Sequence, residues 1–217
     1  MGGLLLPTSP TYRTSLFLSL EFWQDSAIDL PEFLARAFGL RYARALGPTA
    51  VNALLSAASG TLAAAGAAGS GQAGPSTAIG SDDLIKLAQS LDAAYYRRSC
   101  WCMQAQTHLA IQGLRGSGSG QLVFPDARDA DGHPLLLGRR VLYSPSMPVL
   151  GSGGKSVLLG DFSRLILRLG SSMTVQVSTE RRPETGSLYH WSTLRAQAGV
   201  AQDSSTTDRP FVCFTSA

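Results

Sequence analysis

The chain has 217 residues, is 44% apolar and 15% charged, and carries a net charge of +3 from 18 Lys+Arg against 15 Asp+Glu. That length supports one sizeable core or two small lobes, and the composition excludes a highly charged disordered chain. Three cysteines exclude a disulfide scaffold, and the mild charge, spread along the chain without a basic tail, is weak support for nucleic-acid binding.

The opening MGGLLLPTSPTYRTSLFLSL lacks a positive n-region, and Pro7, Pro10 and Arg13 interrupt it, which argues against a secretory signal. Leu6 stands where myristoylation after Gly2 wants Ser or Thr. No stretch has the roughly 18 consecutive apolar residues of a membrane span. Residues 15–23, SLFLSLEFW, predict a strand. Asp29 as cap, Pro31 in the first turn and Glu32 predict a helix start. Leu30, Phe33, Leu34, Ala37, Phe38, Tyr42 and Ala45 form its apolar stripe, and Gly47-Pro48 is a stop, with the pattern resuming at Val51, Leu54 and Leu55.

Residues 56–81 are Ala, Gly, Ser and Thr for the most part and predict a mobile loop with a frayed helical turn. A helix capped by Ser81 follows, with Leu84, Leu87, Ala88 and Leu91 as its apolar face. Tyr95, Tyr96 and SCWCM predict a strand entering a core; residues 104–114 predict a helix; QLVF predicts a short strand; and 125–134 read as an exposed acidic turn. LLLGRRVLYSP predicts a strand bent or bulged at Gly138. SVLLGDF, LILRLG and MTVQVSTE are further strands, the last alternating as a half-buried one does. Two or three short elements then end in PFVCF. An early long helix and many late strands predict an α+β fold.

The candidate chemistry is thin. GSGGKS at 151–156 lacks the first glycine of a phosphate loop, since Val149 stands there, and a strand rather than a helix follows its lysine. Cys100, Cys102 and His108 lack a fourth zinc ligand nearby. Asp161 reads as a turn cap, with a catalytic carboxylate as the alternative. Three classes of function stay open: a structural subunit; a small enzyme in which Cys102, His108 and Asp161 converge; and a nucleic-acid module with a continuous stripe across Arg97, Arg98, Arg139, Arg140 and Arg181. The absence of a visible site favours the first, with no cofactor, no metal and no catalytic centre.

Three stretches, taken in order, resemble the major capsid proteins of tailed bacteriophages, the family that folds like the HK97 shell subunit. Residues 20–54 resemble a polar turn leading into a long spine helix, with Glu21, Asp25 and Ser26 as landmarks. Residues 90–124 resemble a tryptophan-bearing strand, a helix and a glycine turn, through Tyr95, Trp101, Met103, Leu109, Ile111 and Leu114. Residues 136–164 resemble a run carrying Leu137, Gly138, Arg139, Val141, Met147 and Pro148, then Gly160, Asp161, Phe162, Ser163 and Arg164, with Arg140 in place of a common proline.

The resemblance implies an α+β, HK97-like fold with mixed sheets. It implies a peripheral domain of 15–80 plus 158–217 and an axial domain of 81–157. Phe33, Phe38 and Tyr42 would pack the spine helix, and Asp161, Phe162 and Arg164 would shape a strand-to-turn corner. It implies hexamers and pentamers of a phage or prophage icosahedral shell, non-specific contact with packaged DNA, no cofactor and no membrane. The location would be the virion, with the bacterial cytoplasm during assembly. The usual N-terminal arm and most of the extended loop have no counterpart in this pattern. Lys86, Lys155 and the sole asparagine, Asn52, match neither partner of the crosslink some members make.

Overall fold

The computed structural model describes residues 10–58, 61–63, 79–115, 121–151, 154–170, 173–181, 183–201 and 210–215. The chain forms two compact units. One runs through Ala50 and adds Leu167–Gly199; the other takes Val51–Ile166 and the segment from Val200 onward. This is a division by compactness, distinct from the peripheral and axial division by place in an assembly.

The first unit is a helix on an antiparallel sheet. Strand β1 (Thr11–Ser19) pairs antiparallel with β10 (Ser187–Val200), from Thr11 opposite Arg195 to Ser19 opposite Ser187. On β10 every even-numbered residue from Leu188 to Val200 is buried, as a two-residue side-chain period requires. Strand β9 (Thr174–Ser178) pairs with Tyr189–Thr193, and β8 (Leu165–Leu169) also joins β10. Ser19 ends β1 and caps helix α1 (Leu20–Asp25), its hydroxyl accepting from the Phe22 N–H at 3.2 Å. Asp29 then starts helix α2 (Leu30–Ala57), its carboxylate accepting from the Glu32 N–H at 3.2 Å. Leu34, Phe38 and Tyr42 pack with Leu194 and Ala196 of β10 and with Tyr12, Leu16 and Leu18 of β1.

Several expectations need correction in this unit. The strand lies at 11–19 rather than 15–23, because the Ser19 cap turns the chain into α1. Phe33, expected in the buried stripe, is 58% exposed; it lies one residue, about 100° of helix, from Leu34, and falls outside the face the sheet covers. Pro48 does not stop α2. Proline removes one hydrogen bond, but it sits on an exposed position, and Val51 and Leu54 are buried beyond it. β9 alternates but is not half-buried, with Val175 39% and Val177 53% exposed. Of the short elements expected after the ERRPETG turn, the first is instead the 14-residue strand β10, while PFVCF does give a short strand at Phe211–Thr215.

The second unit is built on a seven-stranded mixed sheet. Its strands are β2 (Thr61–Ala63), β3 (Cys100–Met103), β4 (Ala127–Arg128), β5 (Pro134–Leu136), β6 (Arg139–Tyr143), β7 (Lys155–Gly160) and β11 (Phe211–Thr215), in the order β2-β11-β7-β3-β6-β5-β4. β3 runs parallel to β6, and β11 parallel to β2, while the other neighbours are antiparallel. The central strands β7, β11 and β3 are buried along nearly their whole length, so they read as continuous apolar runs. On one face Trp101, Met103, Val157, Leu159, Val212 and Phe214 meet Leu84 and Leu87 of helix α3 (Ser81–Ser90) and Ile111 of helix α5 (Ala105–Gln112). On the other, Cys102, Leu158, Phe211 and Cys213 meet Val51 and Leu54 of the α2 terminus. Each fully buried Leu or Phe here contributes roughly 1.5–3 kcal/mol, far above any surface ion pair at about 0–1 kcal/mol.

Local chemistry shifts some expected boundaries. The α3 cap is Gly80, whose N–H donates to the Asp83 carboxylate at 3.1 Å, rather than Ser81. Tyr95 and Tyr96 sit in a helical turn, α4 (Ala93–Tyr96), begun by the Asp92 carboxylate. QLVF forms a single bridge from Leu122 to Arg115 rather than a strand. LLLGRRVLYSP is a hairpin rather than a bent strand. Leu137 and Gly138 both have positive φ, 50° and 71°, and join β5 to β6. Most of 56–81 lies outside the described residues, with β2 the part that pairs, against β11.

Gly160 is the tightest point of this sheet. A Cβ there would collide with the Phe211 ring and the Pro210 carbonyl oxygen. Gly160→Ala is therefore expected to destabilise the fold by about 1–3 kcal/mol, read as a lower midpoint in thermal or urea unfolding. An unchanged midpoint would show that β11 is free to move away.

Candidate functional site

Cys102, His108 and Asp161 do not converge. Side chains alternate along β3, so Cys102 packs on the α2 face while Trp101 and Met103 pack on the other. His108 is on α5, one turn from Ile111, and its Nδ1 is 2.8 Å from the Tyr143 hydroxyl of β6. Tyr143 pairs with Met103, which puts His108 across the sheet from Cys102. Burial pushes the Cys102 thiol up to about 11 and raises Cys100 and Cys213 as well, so none favours the thiolate a nucleophile needs. Among the described residues no three His, Cys, Asp or Glu side chains group as a metal site. Lys155 of GSGGKS opens strand β7 and donates its Nζ to the Leu55 carbonyl, so no phosphate-binding helix end follows it.

Asp161 is a cap. Its Oδ1 accepts from the Ser163 N–H at 3.0 Å, and its own N–H donates to Pro210 O at 3.1 Å. It thereby starts a 3-10 turn, Phe162–Arg164, at the end of β7. Phe162 meets Phe211 edge-on with centroids 5.6 Å apart, and Arg164 lies 5.2 Å from the Tyr95 ring centre. Gly160 through Arg164 therefore make one corner, beside which Arg97 and Arg98 line a shared cavity.

The other singled-out residues scatter. Trp101 is fully buried and its Nε1–H donates to Leu136 O at 2.9 Å. Met147 is buried and Pro148 half-buried. Arg139 lies 4.2 Å over the Tyr96 ring and donates to Arg97 O at 2.8 Å. Asp25 ends α1 exposed, and the Ser26 hydroxyl accepts from the Ile28 N–H at 3.3 Å.

Three of the five arginines of the nucleic-acid reading, Arg139, Arg140 and Arg181, have separate local partners. Arg140 pairs with Asp129 at 2.7 Å and Asp131 at 3.2 Å. Their hydrogen bond holds Asp129 below the usual carboxylate range and raises Arg140. Arg181 lies 4.4 Å over the Tyr189 ring. The Arg140 clasp escaped sequence reasoning, although the D-x-D spacing of Asp129 and Asp131 before Arg139-Arg140 was its visible trace.

The geometry thus offers packed faces and charged corners. Its likeness to known proteins agrees: the model of the phage capsid family matches residues 9–205. The chain belongs to the phage capsid family. Solved capsid structures share its fold. "Capsid of empty GTA particle computed with C5 symmetry" is 20% identical with a TM-score of 0.76, over 98% of this chain and 74% of that one. A chain from Microbacterium phage Oxtober96 is 16% identical with a TM-score of 0.61, over 95% and 72% of the two chains. One from Mycobacterium phage Adephagia is 11% identical with a TM-score of 0.64, over 95% and 71%. No curated protein matches the chain. The fold is the α+β, HK97-like capsid-subunit fold that the ordered motifs implied, and the protein is structural.

Two predictions follow from the buried groups. His108 and His190 are both buried, and burial lowers their pKa. The unfolded chain binds these protons near pH 6.5 and the folded chain only at lower pH, so stability is full above about 6.5 and falls on acidification. Melting midpoints should drop between pH 7.5 and 5.5, and the His108→Gln/His190→Gln variant should lose most of that slope. Equal slopes in both would contradict this. Iodoacetamide at pH 8 should modify Cys100, the half-buried thiol, before Cys102 or Cys213. Mass spectrometry showing Cys102 modified first would contradict its burial.

Proposed function

We propose that this protein is the repeating subunit of a phage or prophage icosahedral shell, assembling with its own copies into hexamers and pentamers around packaged DNA. The observation that carries the reading is the family match over residues 9–205, joined to a fold shared with capsid chains over 95–98% of this chain. The mechanism is geometric: one rigid fold buries area against several neighbours in closed rings. The protein then works in the virion, after assembly in the bacterial cytoplasm, and needs neither catalysis nor cofactor. Non-specific contact with DNA falls to exposed arginines.

In this reading 15–80 plus 158–217 form the peripheral part and 81–157 the axial part. Phe38 and Tyr42 hold the spine helix. Gly160, Asp161, Phe162, Ser163 and Arg164 hold a corner, and Trp101, Gly138, Arg139, Met147 and Pro148 support the axial sheet. Exposed Phe33 and Asp25 and half-buried Ser26 then lie where neighbours can reach them.

Light scattering on a sizing column tests this. The expected result is a particle mass far above the 22.9 kDa of one chain, with rings or shells in negative stain. A clean monomer across the accessible concentration range would contradict it.

A further inference from the structure

The α4 turn separates two concave surfaces. On one side Ile85, Leu91, Ala93, Tyr96 and Leu137 line an apolar groove. On the other Tyr95, Arg97, Arg98, Asp161 and Arg164 line a cavity. Among the described residues no acidic side chain lies within 4.0 Å of Arg97, Arg98 or Arg164. Three guanidiniums and one capping carboxylate leave this cavity with an excess of positive charge. Guanidinium forks suit carboxylates, which they bind with two parallel hydrogen bonds.

The same chain carries a surface of matching chemistry. Helix α1 has six residues and buries none of them. Trp23 ties it to its own unit, its ring tilted by 31° against that of His190 with centroids 4.8 Å apart. Glu21 and Asp25 are one turn apart and about 160° round the helix from Trp23, so they point away from that anchor. Neither has a basic partner among the described residues. Leu20, Phe22 and Ile28 beside them are exposed as well. An exposed helix with two free carboxylates, and three large apolar side chains on it and in the turn after it, thus complements an arginine cavity adjoining an apolar groove.

We propose that the groove and arginine cavity around α4 receive helix α1 and the turn after it, as far as Ile28, from a second copy of this chain. Glu21 and Asp25 meet Arg97, Arg98 and Arg164, while Leu20, Phe22 and Ile28 fill the apolar groove. The two patches differ, so the contact is head-to-tail, and repetition generates rings where the rotation closes. The inference rests on the shell reading.

The test uses the full chain in three forms: Arg97→Glu/Arg98→Glu, Glu21→Arg/Asp25→Arg, and all four changes together. Mass is read by sedimentation at fixed salt, with thermal melts to show folding. Either pair alone should weaken association by about ten-fold or more. The four-fold variant should regain the wild-type mass. The two pair variants mixed one to one should also assemble, because each presents the charge the other lacks. Alternation then permits six-membered rings and forbids five-membered ones, a pattern that mere loss of folding cannot produce. Should a reversal unfold the chain, Arg97→Gln/Arg98→Gln against Glu21→Gln/Asp25→Gln reads the same loss as a double-mutant cycle with a coupling term. Wild-type mass in the reversed pairs, or no rescue in either combination, overturns the contact while leaving the shell reading intact. Normal rings that no longer retain nucleic acid would assign the cavity to DNA and also overturn it. A wild-type chain that never leaves the monomer removes the shell reading and this contact with it.

Discussion

The close approach of β7 to β11 at Gly160 is the constraint on which the larger unit depends. There the Phe211 ring and Pro210 carbonyl occupy the space of a side chain. That approach keeps β11 in register with β7, and β7 in register with β3, so that one sheet is buried on both faces. A sheet so buried must be covered twice. α3 and α5 cover one face and the α2 terminus the other. Chemically reactive side chains that fall inside, Cys102 and His108 among them, are spent on packing and on a single hydrogen bond.

The corner at the end of β7 has the same origin. Once Gly160 is held against Phe211, Asp161 has its N–H fixed on Pro210 O and its carboxylate free to cap the next turn. Phe162 then closes on Phe211, and Arg164 is carried over Tyr95. A packing constraint thereby sets out exposed arginines at a defined place. This is the kind of product a shell subunit requires: rigid geometry inside, patterned charge outside.

Much of this was legible in the sequence where local chemistry and burial agree. The Asp29 cap, the Leu84–Leu87 face of α3 and the capping role of Asp161 follow from residue type and spacing alone. β10 was not legible, because its buried positions include His190, Ser192, Ala196 and Ala198, which do not alternate visibly with their neighbours. Helix α2 passes Pro48 for a tertiary reason, the burial of Val51 and Leu54, that no local rule contains. Leu137 adopts a φ of 50° that its side chain disfavours, so the β5–β6 turn looked like a strand. The corner 160–164 was legible through family likeness, whereas the arginine cavity beside it needed the fold to bring residues 94–98 against 161–164.

The shell reading requires this chain to form closed rings of its own copies. Cryo-electron microscopy of particles formed by the purified protein decides whether such rings form. The expected particles show rings of five and six copies, each carrying this fold, closing into a shell. An open filament, an isolated two-fold dimer, or rings whose subunits meet without the corner at Gly160–Arg164 ordered would contradict it.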